Sequence, residues 1–317
     1  MKTIVLLFIL FFNFSQAQTQ GCTDVLAKNY NPIAIENDGS CVYKNKKIKP
    51  QITQKLSDSI PETSGLIAFD NLFWTHNDDH DTRLYGLNSD GKIQKKINLN
   101  GVKNIDWEEI SQDSLYIYVG DLGNNYRGNR TDLYILRIEK KSFLANAPVI
   151  DTIQFKYENQ TDFSPQKSNT TNFDCEAFVV IQDSIYLFTK EWTSCKTSVY
   201  RLPKTPGKHL AQFKESINVD GFITGATLVT TKKRVVLTGY TNKYSTFLYL
   251  LYDYKNNDFS TGNKRKIKLK LPFHQIEGIS AFKDSLFYIT NESLIKKPIV
   301  NNPQQMHLID LSSFLKN

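Results

Sequence analysis

The sequence predicts an all-β protein, a β-propeller of four-stranded blades, and three observations carry that reading. One strand–turn–strand pattern recurs along the chain. Its paired runs are rich in Val, Ile, Tyr and Phe, which suit a pleated, half-buried surface. A lone strand near the start, Ile52-Thr-Gln-Lys-Leu56, has no hairpin of its own. The clearest copy is 175–192, where an acidic head precedes an apolar run, the polar turn Asp183-Ser184 and a second apolar run. Copies at 107–121 and 276–291 turn at Asp113-Ser114 and Asp284-Ser285, and looser ones occupy 62–76 and 224–240. Their heads at 62, 108, 176, 224 and 277 lie 46, 68, 48 and 53 residues apart. Internal repeats of that length, built from short strands, point to propeller blades.

Residues 1–17 read as a secretory signal. Lys2 supplies the positive charge, 4–12 the apolar segment and Ser15-Gln16-Ala17 a small-x-small cleavage site. Cleavage near Ala17 would deliver the chain to the periplasm or the exterior, and no second apolar run reaches membrane length, so no transmembrane span is expected. In an oxidising compartment the four cysteines are expected to pair. With 40% hydrophobic and 12% aromatic residues the chain can bury a sizeable core. The formal charge of +7 is dispersed and no nucleic-acid reader motif accompanies it, so nucleic acid is not an expected partner.

The domain order follows: signal 1–17, a small disulfide-bonded module over 18–43, a charged linker over 44–50 and the propeller over 51–317. Closing Cys22 to Cys41 restricts the unfolded chain, a stabilisation of about 3 kcal/mol for a loop of this size. The module resembles the short extracellular repeat GCTD…ACNYNP…DDGSC. Gly21-Cys22-Thr23-Asp24, Asn29-Tyr30-Asn31-Pro32 and Asn37-Asp38-Gly39-Ser40-Cys41 match it, and Lys28 stands where the repeat has a third cysteine. Asp24, Asn29, Asn31 and Asp38 are candidate oxygen ligands for Ca²⁺. Asx-turns that cap a tight loop are the equal alternative.

Third strands follow each hairpin at 83–87, 132–136, 198–202, 246–251 and 306–311, and fourth strands at 93–99, 150–157, 211–219 and 264–271. The last copy lacks a fourth strand, and Ile52-Thr-Gln-Lys-Leu56 is expected to supply it and close the ring. Five blades account for the chain. A sixth, hidden between Asn124 and Phe173, is the alternative, although 162–172 is polar and loop-like.

Ser64-Gly65-Leu66, 73–78, 106–110, 119–125 and Tyr200-Arg201-Leu202-Pro203 resemble the signature runs of uncharacterised secreted bacterial β-propellers. More distantly they are similar to phytase-like esterase and gluconolactonase/regucalcin-type propellers. That resemblance implies the fold, and in the gluconolactonase-type families a channel ion that activates substrate.

Hairpin geometry places the start of each inner strand beside the end of its partner, at one mouth of the channel. The candidates there are Glu62, Asp106, Glu108, Asp121, Asn124, Asp174, Glu176, Glu277 and Asn291, with His76, Asn77 and Asp78 in a loop cluster and Lys190-Glu191-Trp192, Tyr240, Asn242 and Glu292 beside them. Crowded carboxylates raise each other's pKa unless a cation neutralises them, and Ca²⁺ is the candidate cofactor. The other reading is structural, with each acid accepting backbone N–H groups and locking blades together. Thr224 stands where other blades have Glu. None of the five His lies in a hydrolase motif with Ser and Asp. Cys175 and Cys195 both fall at the mouth of the third blade and are expected to form a second disulfide. The function expected is a non-catalytic extracellular module that binds a ligand or protein partner. The alternative is a Ca²⁺-dependent hydrolase of a phosphoester or lactone.

Overall fold

The computed structural model describes residues 19–78 and 80–315, and the expected signal segment and its cleavage point lie outside them. Five four-stranded antiparallel blades form the body. Blade 1 comprises Thr63–Phe69, Leu72–Asn77, Arg83–Leu87 and Ile93–Asn98. Blade 2 comprises Trp107–Gln112, Tyr116–Asp121, Tyr134–Glu139 and Ile150–Tyr157. Blade 3 runs through Cys175–Ile181, Ser184–Thr189, Thr197–Pro203 and Gly207–Ile217, and blade 4 through Phe222–Val229, Arg234–Tyr240, Thr246–Tyr252 and Asn263–Leu269. Blade 5 is built from Ile276–Ala281, Leu286–Asn291 and Gln305–Asp310, and Ile52–Lys55 completes it by pairing antiparallel with Gln305–Asp310. The N-terminal strand thus closes the ring, and 158–174 is a loop that leaves no room for a sixth blade.

The sequence explains why these segments pair. Asp70 and Asn71, with φ of 52° and 60°, make the two-residue left-handed turn that suits the twist of a hairpin. In blade 3 the turn is Gln182-Asp183, one residue earlier than the sequence suggests, because Ser184 already pairs with Ile181. Inner strands are largely buried, and Cys175–Ile181 wholly so, whereas the outer strand Ile150–Tyr157 ends in strict exposed–buried alternation. Consecutive inner strands adjoin around a closed circle, blade 5 meeting blade 1. Apolar side chains then fill the five blade-to-blade interfaces. Between blades 1 and 2, Trp74 packs edge-on against Phe143 at 4.8 Å and shares that core with Trp107. Burial of such aromatic surface supplies most of the stabilisation.

Two features extend the blades. The outer strands of blades 2 and 3 pair in parallel, from Ile153 opposite Gly207 to Tyr157 opposite Ala211, so both blades form one eight-stranded sheet. Within the stretch expected to act as a linker, Lys47–Ile48 pairs in parallel with the outer strand of blade 4, and Ile48 enters its core.

The Cys22–Cys41 disulfide is formed, and its module packs against blade 4. Asp24 is buried and accepts hydrogen bonds from the Tyr43 hydroxyl at 2.9 Å and from Tyr252. Asn37 donates to Gly262 O at 2.9 Å, and the Arg265 guanidinium lies over the Tyr43 ring at 4.4 Å. Asn29 bridges to Ser40 O and Val42 N, Asn31 accepts from Ile33 N, and Asp38 accepts from Ser40 N. Those of Asn31 and Asp38 are the local turn-forming bonds that short polar side chains make with nearby backbone, whereas Asn29 ties distant parts of the module together. The disulfide expected between Cys175 and Cys195 is not formed, and both thiols are free. Thr189 stands opposite Cys175, whose Sγ turns into the core between blades 2 and 3, 3.5 Å from Ala177 O. Cys195 lies further along, in the turn after the second strand, at φ 55°.

Candidate functional site

A bulge, not simple alternation, delivers the acidic side chains to the mouth. In blades 2, 3 and 5 the inner strand holds one residue more than its partner, and the extra residues are Glu108, Glu176 and Glu277. Such a bulge re-aims its side chain, here toward the channel axis. Blade 4 has the same bulge at Thr224, whose hydroxyl donates to Ile276 O. In blade 1 the irregularity falls at Gly65-Leu66, facing Thr75. Gly65 has φ 61°, and a Cβ there would lie 2.5 Å from Ile110 N, so the irregularity of this blade carries no carboxylate of its own.

The resulting cavity measures about 510 Å³ and has two unlike walls. Asp78, Asp106, Glu108, Glu277 and Glu292 form an acidic arc across blades 5, 1 and 2. Trp192, Phe222, Tyr240 and Tyr244 form an aromatic arc across blades 3 and 4. The aromatic arc is continuous: Trp192 and Phe222 have centroids 5.0 Å apart, and Tyr240 stacks on Tyr244 at 5.8 Å. The Trp192 indole N–H donates to Asp174 at 2.7 Å, which fixes the ring's orientation. Asp174 also accepts from Asn124 N at 2.7 Å. Between the arcs stands Lys190. Its ammonium is 2.6 Å from both Glu176 carboxylate oxygens, 4.6 Å from the Trp192 ring and 5.3 Å from the Tyr240 ring. Among the described lining residues it is the one basic side chain. Gly123 leaves space for this crowd, since a Cβ there would lie 2.0 Å from an Asp106 carboxylate oxygen.

Electrostatics follow from burial and like charge. Burial raises Glu176 to about 8, with Lys190 opposing the rise. Burial, then the charge of Asp174, takes Asp106 to about 7, and burial takes Glu292 to about 7. Glu108 and Glu277 are pushed well above the carboxylate range, by burial first and then by Glu176 and Glu292 respectively. Burial works against the Lys190 ammonium, yet its neighbours, Glu176 foremost, hold it well above the ordinary lysine value. One oxygen of Glu277, a residue only 3% exposed, has no hydrogen-bond partner among the described residues. Glu108, Asp174 and Glu176 each offer an oxygen within 4.8 Å of the others, a buried cluster that could bind a metal ion.

Other candidates hold the scaffold. Glu62 is exposed at the rim and contributes backbone, its N–H to Asn77 and its carbonyl to Asp78. Asp121 is buried in an ion pair with Arg130 at 2.6 Å. Asn124 ties Phe173 O to Arg130 N, and Asn291 links Pro303 O to the His307 ring. His76 is buried edge-on to Trp107 and donates from Nδ1 to Asn77 O, and Asn77 donates to Ser59 O and Asp81. Asp78 alone of that loop cluster lines the cavity. Sequence reasoning missed Phe222, Tyr244 and Gln275 in the lining, and it missed Glu109. The Glu109 carboxylate, fully buried, accepts from Ile110 N at 2.9 Å and from Ala226 N at 2.6 Å, joining blade 2 to blade 4 across the channel. Its place beside Glu108 in the 107–112 run was the available signal. A larger groove of about 940 Å³ flanks the outer strands of blades 2 and 3 near Lys156, Lys208 and Leu210. It gathers no comparable set of buried charged groups, so the mouth is the candidate site.

No protein-family model matches the sequence, and no curated protein is detectably similar to it. Among solved structures, the chain is similar to the PQQ-bound form of aldose sugar dehydrogenase from Streptomyces coelicolor, with 9% identity, TM-score 0.46, and 83% of this chain and 98% of that one covered. It is also similar to streptogramin B lyase at 11% identity and TM-score 0.40, covering 82% and 98% of the two chains. A putative 6-phosphogluconolactonase from Bacteroides uniformis is similar at 12% identity and TM-score 0.38, covering 80% and 74%. At these values the propeller assignment rests on the five blades and their closed ring.

Proposed function

We propose that this chain is a secreted, non-catalytic binding module whose channel mouth takes up a cation, with Ca²⁺ the metal candidate. The observation that carries the reading is the mouth's charge: six lining carboxylates, Glu176 included, face the single ammonium of Lys190. The Glu277 oxygen buried without a partner supports it, because such a group is costly unless something neutralises it. Ca²⁺ accepts mixed carboxylate and amide oxygens, and Glu108, Asp174 and Glu176 would hold it, with Asp106 beside them. The formed Cys22–Cys41 bond supports export to an oxidising compartment. Among the described residues no helix is long and apolar enough to cross a membrane.

Metal analysis of purified protein, with thermal melts in Ca²⁺ and in chelator, tests the metal. A ligand confined to the native state at a hundredfold over its Kd adds about 2.7 kcal/mol, a shift of a few degrees. Glu108→Gln should abolish the shift, whereas Asp24→Asn and Asp38→Asn should leave it intact. Melts unchanged by chelator, with no metal bound, would remove Ca²⁺ from the reading.

One observation favours the hydrolase alternative. Asp106, which lines the cavity with Glu108, holds its proton to about 7, as a general acid at neutral pH must. A phosphoester is the poorer substrate class, because Lys190 is clamped by Glu176 and Arg127 is exposed above its own neighbour Tyr126. Turnover of a lactone or ester panel that is lost with chelator and in Glu108→Gln would establish the enzyme.

A further inference from the structure

A metal ion does not explain the aromatic half of the mouth. Ca²⁺ seeks a shell of oxygens, and ring faces provide none. Ring faces do attract a cation that has an apolar body. The chain already carries one such ligand of its own, since Lys190 brings an ammonium on a four-carbon stem against Glu176 and the faces of Trp192 and Tyr240. Beside Lys190 the cavity lining holds further buried acids and further aromatic rings. Glu277, buried and with one unpartnered oxygen, lines the cavity with Glu292 on one side, and Phe222 and Tyr244 continue the aromatic wall on the other. The cavity, about 510 Å³, is of the size that small-molecule sites have.

We propose that the mouth binds an organic cation, a small molecule bearing a primary ammonium on a carbon skeleton, with the charge seated at Glu277 and the skeleton laid along Phe222, Tyr240 and Tyr244. The proposal rests on the reading of the mouth as a cation site and assigns it a ligand class. Polyamines and amino sugars share this chemistry, and the neutral counterpart of each is the natural control.

The experiment is calorimetric titration of the full chain with spermidine, glucosamine, glucose and N-acetylglucosamine. It is run at about 0.15 M salt, where attraction between exposed charges is screened. Spermidine or glucosamine should bind, and the two neutral sugars should bind at least about tenfold more weakly, since they carry no charge for the buried carboxylate. Whichever amine binds names the source. Glu277→Gln keeps shape and removes charge, so it should weaken the amine about tenfold or more while the protein melts no lower than the parent. Tyr244→Leu, on the half-exposed rim, should weaken the amine severalfold and leave any Ca²⁺ shift unchanged. Equal binding of charged and neutral sugars, or an amine affinity indifferent to Glu277→Gln, would overturn the proposal. Stabilisation by Ca²⁺ with no response to either amine would overturn it too while leaving the cation reading standing. Silence to both would remove both.

Discussion

Lys190 Nζ lies 2.6 Å from each carboxylate oxygen of Glu176, with both side chains almost fully buried. Breaking a buried pair from one side is far costlier than replacing both partners, because the survivor keeps its desolvation penalty without compensation. Lys190→Met should therefore lower stability by about 3 kcal/mol at neutral pH. Lys190→Met combined with Glu176→Leu should recover most of that loss. Urea melts of the three proteins measure both effects. Parent-like stability for Lys190→Met would show that the lysine is not the mouth's counter-charge.

The mouth should also invert the usual pH dependence. Asp106, Glu176 and Glu292 keep their protons to about 7, 8 and 7 in the folded chain, and unfolded carboxyls release theirs near 4. Between those limits the folded state binds more protons, so stability falls as pH rises, and the loss is complete above about 8. His76 and His307, driven by burial to about 4 and about 3, act the other way. They withdraw stability as pH drops below about 6.5, where unfolded histidine takes up its proton. The decline should thus be steepest between about 6.5 and 8, and a bound cation should flatten it by favouring the ionised acids. Thermal melts across that range, with and without ligand, test it. A melting temperature that climbs from 6.5 to 8.5 would contradict the buried acidic ring.

Glu109 is expected to matter for stability and not for binding. Its carboxylate satisfies Ile110 N and Ala226 N inside the channel, and each orphaned buried donor costs about 1–3 kcal/mol. Glu109→Ala should lower the unfolding free energy by about 3 kcal/mol or more, while the affinity of whatever cation binds the mouth stays within about twofold. A large loss of affinity without loss of stability would move Glu109 into the site.

The legible part of this molecule was its periodicity. Alternating apolar runs and two-residue polar turns exposed all five blades, and the partnerless Ile52–Lys55 segment showed how the ring closes. Glu108, Glu176 and Glu277 were legible as a set because each heads a strong repeat. Glu62 stands at the exposed rim, outside the lining, because blade 1 puts its irregularity at Gly65-Leu66, and register at a bulge depends on backbone packing that composition does not encode. The aromatic arc escaped notice because Phe222 and Tyr244 look like ordinary strand and loop residues until Tyr240 and Trp192 stand beside them. Cys175 and Cys195 looked like a pair only while the strand's facing was unknown.

The N-terminal module should melt with the propeller. Asp24 is hydrogen-bonded to Tyr252 of blade 4, and Lys47–Ile48 extends that blade's sheet. Replacing both Cys22 and Cys41 by Ser should cost about 3 kcal/mol through the loop they close. Calorimetry should still show one transition, shifted downward. A separate low-temperature step, with the main transition unmoved, would show the module to be an independent appendage.

The pairing of the outer strands has a consequence for how other molecules can approach. Blades 2 and 3 spend their free edges on each other, and Lys47–Ile48 lies along part of the edge of blade 4. Of the remaining two, the outer strand of blade 1 carries the exposed Lys95 and Lys96, and that of blade 5 is the four-residue Ile52–Lys55. Short or lysine-bearing edges are poor templates for a visiting strand. Crowded copies of this chain therefore meet a perimeter that discourages fusion of their sheets.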